Sequence, residues 1–113
     1  MGSRMFRSFR NAFRGIKTVL KTEKNFRIHV IVAILVIALA WYRDIGQVLW
    51  VILLLVIALI MALEIFNSAI ERLVDMLAPK THNFAKEVKD LLAAMVLVVS
   101  LFAIAIGFII FLW

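Results

Sequence analysis

The sequence, residues 1–113, predicts a single-domain all-α membrane protein with an N-terminal amphipathic surface helix and three transmembrane helices. Hydrophobic residues make up 65% of the chain, and its mean hydropathy is +1.07. A soluble domain of this composition would have a mostly apolar surface. Three long apolar runs follow a first segment that is rich in aromatic residues and cations. The chain has no cysteine, so disulfides and thiolate metal sites are excluded.

The first segment, residues 4–22, is predicted to form the surface helix. Its bulky apolar residues recur at steps of three and four, and its arginines and lysines occupy the opposite side. This pattern is typical of a helix that lies among lipid headgroups, so anionic lipid is the expected partner. A nucleic-acid partner is not expected, because phosphate binding would not require a regular apolar face. We also expect no cleavable signal, because the first apolar run follows a long basic segment.

The three spans are predicted from the apolar runs and their boundaries. Segment 23–29 joins the surface helix to a first span at 28–42, which is short for a bilayer. After a tight loop, residues 48–73 form the second helix. Pro79 ends it, because proline cannot continue a helix, and residues 85–113 form the third.

The distribution of cations predicts the orientation in the membrane. Residues 1–27 carry eight arginines and lysines, whereas the loop after the first span carries only Arg43. The positive-inside rule therefore places the N-terminus and the second loop in the cytoplasm and the C-terminus outside. Every acidic residue except Asp44 then lies on the cytoplasmic side.

An acidic stripe is predicted on the second span. At 100° per residue, Glu64, Glu71 and Asp75 fall within about 40° of one another, and Asn67 and Ser68 flank them. Carboxylates at the end of a membrane helix are costly unless they face a partner helix, water or a cation. The stripe is therefore a candidate functional site.

Glu23, this stripe and the segment 82–90 are expected to meet at the cytoplasmic interface. Acidic oxygen ligands without cysteine suit a hard cation such as Mg²⁺. Neighbouring lysines, Lys80, Lys86 and Lys89, could hold a polyphosphate. The chain has no glycine-rich phosphate loop, so a nucleotide site would be of an unrelated design.

These residues resemble the small bacterial integral-membrane diacylglycerol kinase family. One motif is Glu64-x-x-Asn67-Ser68-Ala69-Ile70-Glu71-x-x-Val74-Asp75, and a second is Ala85-Lys86-x-x-Lys89-Asp90. Upstream, Glu23-x-Asn25-Phe26-Arg27-x-His29 resembles the undecaprenol kinases of the Gram-positive branch. The similarity extends over nearly the whole chain from about Phe6.

The resemblance implies a homotrimer in the bacterial cytoplasmic membrane that uses Mg²⁺ to transfer the γ-phosphate of ATP to a lipid alcohol. It implies that Glu64 is the general base and that Glu23 and Glu71 hold the metal. Undecaprenol is the favoured substrate and diacylglycerol is the alternative. A neighbouring copy is also expected on physical grounds, because one three-span subunit has little interior in which to shelter the acidic stripe.

The resemblance also implies contacts to the two substrates. Those to ATP are Asn11, Glu23, Asn67, Glu71, Asp75, Lys80, Thr81, His82, Lys89 and Asp90. Those to the lipid are Phe9, Phe13 and Glu64, although the phenylalanines also suit a membrane-facing surface. We interpret His29 and His82 as anchoring or hydrogen-bonding residues, and Ser68 as a helix-packing residue.

Two other functions remain open from the residues alone. A small proton-coupled multidrug transporter would be expected to have a fourth span and an isolated acidic residue. A non-catalytic adaptor that senses anionic lipid would leave Glu64, Asn67 and Glu71 unexplained.

Overall fold

The computed structural model describes residues 2–77 and 83–113, which form four helices and no strand. The helices are α1 (Gly2–Thr22), α2 (Lys24–Arg43), α3 (Gln47–Leu77) and α4 (Asn83–Leu112). Helices α2, α3 and α4 are each long and apolar enough to cross a membrane. The predicted all-α fold with three spans is therefore confirmed.

The first membrane helix is longer than the sequence predicts. Helix α2 begins at Lys24, not at residue 28, and its 20 residues extend about 30 Å. Hydropathy marks only the apolar part of a helix, whereas the backbone hydrogen bonds continue through the polar residues before it. For the same reason α3 continues to Leu77, four residues beyond the predicted end at residue 73.

A single extended residue, Glu23, separates α1 from α2. Its φ and ψ are −110° and 107°. Arg27 Nη1 donates hydrogen bonds to the carbonyl oxygens of Leu20 at 2.7 Å and Lys21 at 2.9 Å. These carbonyls lie in the last turn of α1, where helical partners are lacking and a cation is favourable. Arg27 thus stabilises the bend that places Glu23 between two helices.

The loop between α2 and α3 is the tight turn that the sequence predicts. Asp44 lies in the left-handed region with φ 52°, which Asp tolerates better than most residues. The Asp44 and Ile45 N–H groups donate to the carbonyls of Trp41 and Ala40 and so end α2. Trp41 also packs edge-to-face on Trp50 at the start of α3, with ring centroids 6.5 Å apart.

Helix α3 is the central helix and packs against both α2 and α4. The apolar core is small. In the described ranges the buried apolar residues are Val19, Phe26, Ala40, Leu53, Ala85 and Leu92. Large apolar side chains along all three long helices remain exposed, as expected where lipid or another subunit covers them.

Most of the apolar face of α1 is exposed within the described part of the chain. Phe9 is 60% exposed and Phe13 is 70% exposed, whereas Val19 near the bend is buried. The predicted helix is confirmed. Its apolar face is free to contact a membrane or a lipid substrate.

Candidate active site

Polar contacts follow one another along the C-terminal half of α3. Glu64 is 7% exposed and Ser68 is 2% exposed, whereas Asp75 lies exposed at the surface. From Glu64 to Asp75 the helix rises about 16 Å. The stripe therefore runs from a buried carboxylate to a surface carboxylate.

At the buried end, Glu64 meets His29 of α2. Nδ1 of His29 lies 3.1 Å from Oε1 of Glu64. Nδ1 is buried but is not aligned for a hydrogen bond with this oxygen, and it has no other partner among the described residues. Sequence reasoning left His29 out of the site. A signal was available, because His29 lies 14 residues before the end of α2 and Glu64 lies 17 residues after the start of α3. In an antiparallel pair such positions have similar depths.

In the middle of the stripe, hydrogen bonds of Ser68, Arg72 and Thr22 connect the bend at Glu23 to α3. Ser68 Oγ donates to Glu23 Oε1 at 2.9 Å. Arg72 Nη1 donates to Ser68 Oγ at 2.8 Å, and Arg72 Nη2 donates to Thr22 Oγ1 at 2.8 Å. Arg72 Nη2 is also 4.0 Å from Glu23 Oε1. Sequence reasoning missed Arg72, because an arginine at the end of a membrane helix is expected to reach toward headgroups.

The second predicted metal ligand, Glu71, lies beside this network. Asn67 Nδ2 donates to Glu71 Oε1 at 3.3 Å, while Asn67 Oδ1 is buried and makes no hydrogen bond within the described part of the chain. Ser68, which holds Glu23, is less than one helical turn from Glu71. Among residues 2–77 and 83–113, no three His, Asp or Glu side chains form a group that could hold a metal.

At the exposed end of the stripe, a charged hydrogen bond connects α3 to α4. Lys89 Nζ donates to Asp75 Oδ1 at 2.6 Å. Asp90 is exposed on α4, and Asn11 is exposed on α1. The predicted nucleotide contacts Lys80, Thr81 and His82 lie outside the described residues.

An apolar cavity approaches the buried end of the stripe. Its volume is about 320 Å³, and α2, α3 and α4 all line it. On α2 the lining runs from Val36 to His29, and on α3 it runs from Leu53 to Met61, one turn before Glu64. Apart from His29 and Ser100, the lining residues are apolar or glycine. The cavity thus leads from the hydrocarbon region toward the His29 and Glu64 pair.

The site combines the buried carboxylate of Glu64, an apolar cavity and the ammonium group of Lys89. This arrangement suits a lipid and a polyphosphate. Residues 10–111 match the sequence profile described as prokaryotic diacylglycerol kinase. The chain belongs to this family. It is a membrane lipid kinase, and kinase chemistry makes ATP the phosphate donor. The transporter and adaptor alternatives are therefore not supported.

The names of the relatives of this kinase indicate two kinds of lipid substrate. The chain is 37% identical to an undecaprenol kinase of Bacillus subtilis, over 97% of the chain and 89% of the relative. It is 29% identical to the diacylglycerol kinase of Escherichia coli K12, over 98% and 90%. It is 35% identical to a diacylglycerol kinase of Synechocystis over 88% of the chain, but spans only 58% of that longer relative.

Proposed function

We propose that this lipid kinase phosphorylates undecaprenol to undecaprenyl phosphate, using MgATP at the cytoplasmic face of the bacterial cell membrane. The observation that carries the proposal is the position of Glu64. A carboxylate that is 7% exposed lies just beyond the polar end of an apolar cavity. A lipid alcohol in that cavity would present its hydroxyl to a base while its hydrocarbon chain stays among apolar side chains.

In the proposed reaction, Glu64 accepts the proton of the lipid hydroxyl. The alcohol oxygen then forms a bond to the γ-phosphorus of ATP, the bond from that phosphorus to the bridging oxygen breaks, and ADP leaves. Catalysis of this kind depends on alignment of the attacking oxygen and on neutralisation of the phosphate charge. Glu64 serves the first requirement, because it would accept the proton at the end of the cavity where the lipid hydroxyl is held beside it.

The residues around Glu23 fit a bound Mg²⁺. Glu23 in the bend between α1 and α2 and Glu71 on α3 supply two carboxylates, and the unpaired Oδ1 of Asn67 supplies a buried oxygen with no partner in the described part of the chain. Hard oxygen donors of this kind, completed by water and phosphate oxygens, are the ligands that Mg²⁺ prefers. The ion would neutralise charge on the ATP phosphates.

Nucleotide contacts are proposed at the exposed end of the stripe. Lys89 is held by Asp75 at 2.6 Å, and Asp75 lies about one helical turn beyond the proposed metal ligand Glu71. A lysine so placed could hold phosphate oxygens. Asn11, Asp90 and the segment Lys80–His82 complete the proposed set.

The lining of the cavity favours undecaprenol over diacylglycerol. Undecaprenol has a single polar group, and the cavity offers polar atoms mainly at His29, next to Glu64. Diacylglycerol carries two ester groups, which would lie among apolar side chains without hydrogen-bond donors. The 37% identity to an undecaprenol kinase supports the same choice. Diacylglycerol stays the second candidate because other relatives are diacylglycerol kinases.

A homotrimer with a cytoplasmic N-terminus and an external C-terminus also belongs to the proposal. The large exposed apolar surface of α2, α3 and α4 supports association. Glu64, however, is already buried within one chain. The need for a neighbouring subunit to close the site therefore rests on the shallower residues Glu71 and Asp75, and on the exposed face of α1 that carries Phe9 and Phe13.

The test is a direct comparison of acceptors. Purified protein in detergent micelles is given MgATP with radiolabelled γ-phosphate and either undecaprenol or diacylglycerol at equal mole fraction. We expect labelled undecaprenyl phosphate to form faster than phosphatidic acid. Faster labelling of diacylglycerol would overturn the substrate assignment, and labelling of neither lipid would overturn the proposed function.

A further inference from the structure

His29 is the polar residue that connects the apolar cavity to Glu64. It lines the cavity on α2, and its Nδ1 is 3.1 Å from Oε1 of Glu64 on α3. Within residues 2–77 and 83–113, His29 is the one side chain with a polar atom close enough to the Glu64 carboxylate for an ion pair or a hydrogen bond. Among these residues, no other hydrogen bond or ion pair orients that carboxylate.

The contact between His29 and Glu64 is close, but its geometry is not that of a hydrogen bond. Nδ1 is buried and lacks a hydrogen bond among the described residues, although its separation from Oε1 is within hydrogen-bonding range. A buried polar atom without a partner is unfavourable. A small rotation of the ring or the carboxylate would align donor and acceptor. Contacts in active sites are often poorly aligned before substrate binds and improve in the complex.

We propose that His29 is a positioning residue for phosphoryl transfer. Its Nδ1–H group donates to Oε1 of Glu64, so that the other carboxylate oxygen faces the acceptor hydroxyl at the end of the cavity. His29 neither gains nor loses a proton in this role, since the proton of the alcohol passes to Glu64. The inference rests on the proposed function, because it assigns a task to the same base.

Three substitutions distinguish the effect of the position of the N–H donor from the effect of the size of the side chain. His29→Asn keeps an N–H donor close to the place of Nδ1, His29→Gln moves the donor to the place of Nε2, and His29→Leu removes it. Ile31→Leu, at an exposed position of α2, is the control.

The expected result is a change in kcat that depends on where the donor lies. His29→Leu should lower kcat about 10- to 100-fold, the scale expected for a misaligned reacting group. The KM for MgATP should change by less than about twofold, because the proposed phosphate contact Lys89 pairs with Asp75, about three helical turns beyond Glu64. His29→Asn should recover most of the lost kcat and His29→Gln little of it. Circular dichroism and the elution volume in detergent should match the wild type for every variant.

Several outcomes would overturn the role. These are an unchanged kcat in His29→Leu, equal losses in His29→Leu and His29→Asn, and a higher KM for the lipid with kcat unchanged, which would make His29 a substrate contact only.

A spectroscopic measurement tests the contact without catalysis. The chain has two histidines, so ¹⁵N-histidine labelling gives two sets of ring signals, and loss of one set in His29→Asn identifies His29. Glu64→Gln should shift the Nδ1 signal of His29, and an unmoved signal would overturn the proposal. A shifted signal in a protein that phosphorylates no lipid alcohol would overturn the proposed function, and the positioning role with it, while confirming the contact.

Discussion

Ser68 donates a hydrogen bond to Glu23 at 2.9 Å, although the two residues are 45 positions apart in the sequence. This bond joins the bend between α1 and α2 to the middle of α3. Because Ser68 is 2% exposed, water does not compete strongly for its hydroxyl group. The serine therefore holds one proposed metal ligand close to the other, Glu71.

Removing this hydroxyl group should weaken both the fold and the use of metal. Ser68→Ala leaves a carboxylate oxygen of Glu23 and an N–H of Arg72 without their partner, which should cost about 1–3 kcal/mol. The Mg²⁺ concentration that gives half-maximal activity should rise. Thermal unfolding in detergent and a Mg²⁺ titration of lipid phosphorylation measure the two effects. Ser8→Ala, at an exposed position of α1, should change neither, and an identical response of the two variants would refute the link.

Arg72 should stabilise the bend through two directed hydrogen bonds and little through charge. It bonds Ser68 and Thr22 with different nitrogens, and a lysine cannot reproduce this forked geometry. Its ion pair with Glu23 is long and partly exposed, so that pair should contribute less than about 1 kcal/mol. Arg72→Lys should therefore lower the unfolding temperature although the charge is kept.

A double-mutant cycle with Thr22→Val measures the coupling of Arg72 to Thr22. The two substitutions should be less than additive, because both remove the same hydrogen bond. Thr18→Val, which lies one turn away on α1, is the control and should be additive. Full additivity of Thr22→Val and Arg72→Lys would contradict the geometry.

Glu71 should determine the Mg²⁺ concentration that the enzyme needs, and should take no part in proton transfer. Glu71→Gln removes one of two proposed carboxylate ligands, so the Mg²⁺ concentration for half-maximal activity should rise about tenfold or more. Activity should recover in part at high Mg²⁺. Glu87→Gln on α4, where the side chain is exposed, provides a matched control. A Mg²⁺ titration that coincides with that of the wild type would remove Glu71 from the ligand set.

Lys89 should act on ATP and not on the lipid. Lys89→Met removes the donor that lies 2.6 Å from Asp75, and the KM for ATP should rise about tenfold, since charge-assisted bonds to phosphate are strong. The KM for undecaprenol should stay within about twofold of the wild type. Lys86→Met, at an exposed position of the same helix, should have a smaller effect. Steady-state kinetics with each substrate varied in turn would show the difference, and equal effects of the two substitutions would argue against a specific contact.

Hydropathy and periodicity predict the architecture well, and the partners of individual residues less well. The three spans, the turn at Asp44 and the helical stripe from Glu64 to Asp75 all follow from local pattern. The start of α2 at Lys24 does not, because polar residues at a helix end carry no hydropathy signal. Arg72 illustrates a further limit. Its position in the sequence suits lipid headgroups, and only the tertiary fold brings Thr22 and Ser68 within its reach.

His29 shows where the prediction could have gone further. Counting residues from the tight loop along two antiparallel helices predicts that His29 and Glu64 lie at similar depth. The count does not predict that their side chains face each other. Facing depends on the rotation of each helix about its axis, which is decided by packing. The segment Lys80–His82 stays a prediction because it lies outside the described residues.

Lipid phosphorylation by Glu64→Gln is the decisive test of the role of Glu64. The amide keeps the size of the side chain but cannot accept the proton, so the rate of undecaprenyl phosphate formation should fall by about 10²- to 10⁴-fold, while binding of MgATP stays close to that of the wild type. Turnover within a few-fold of the wild-type rate would show that the buried carboxylate of Glu64 is not the base.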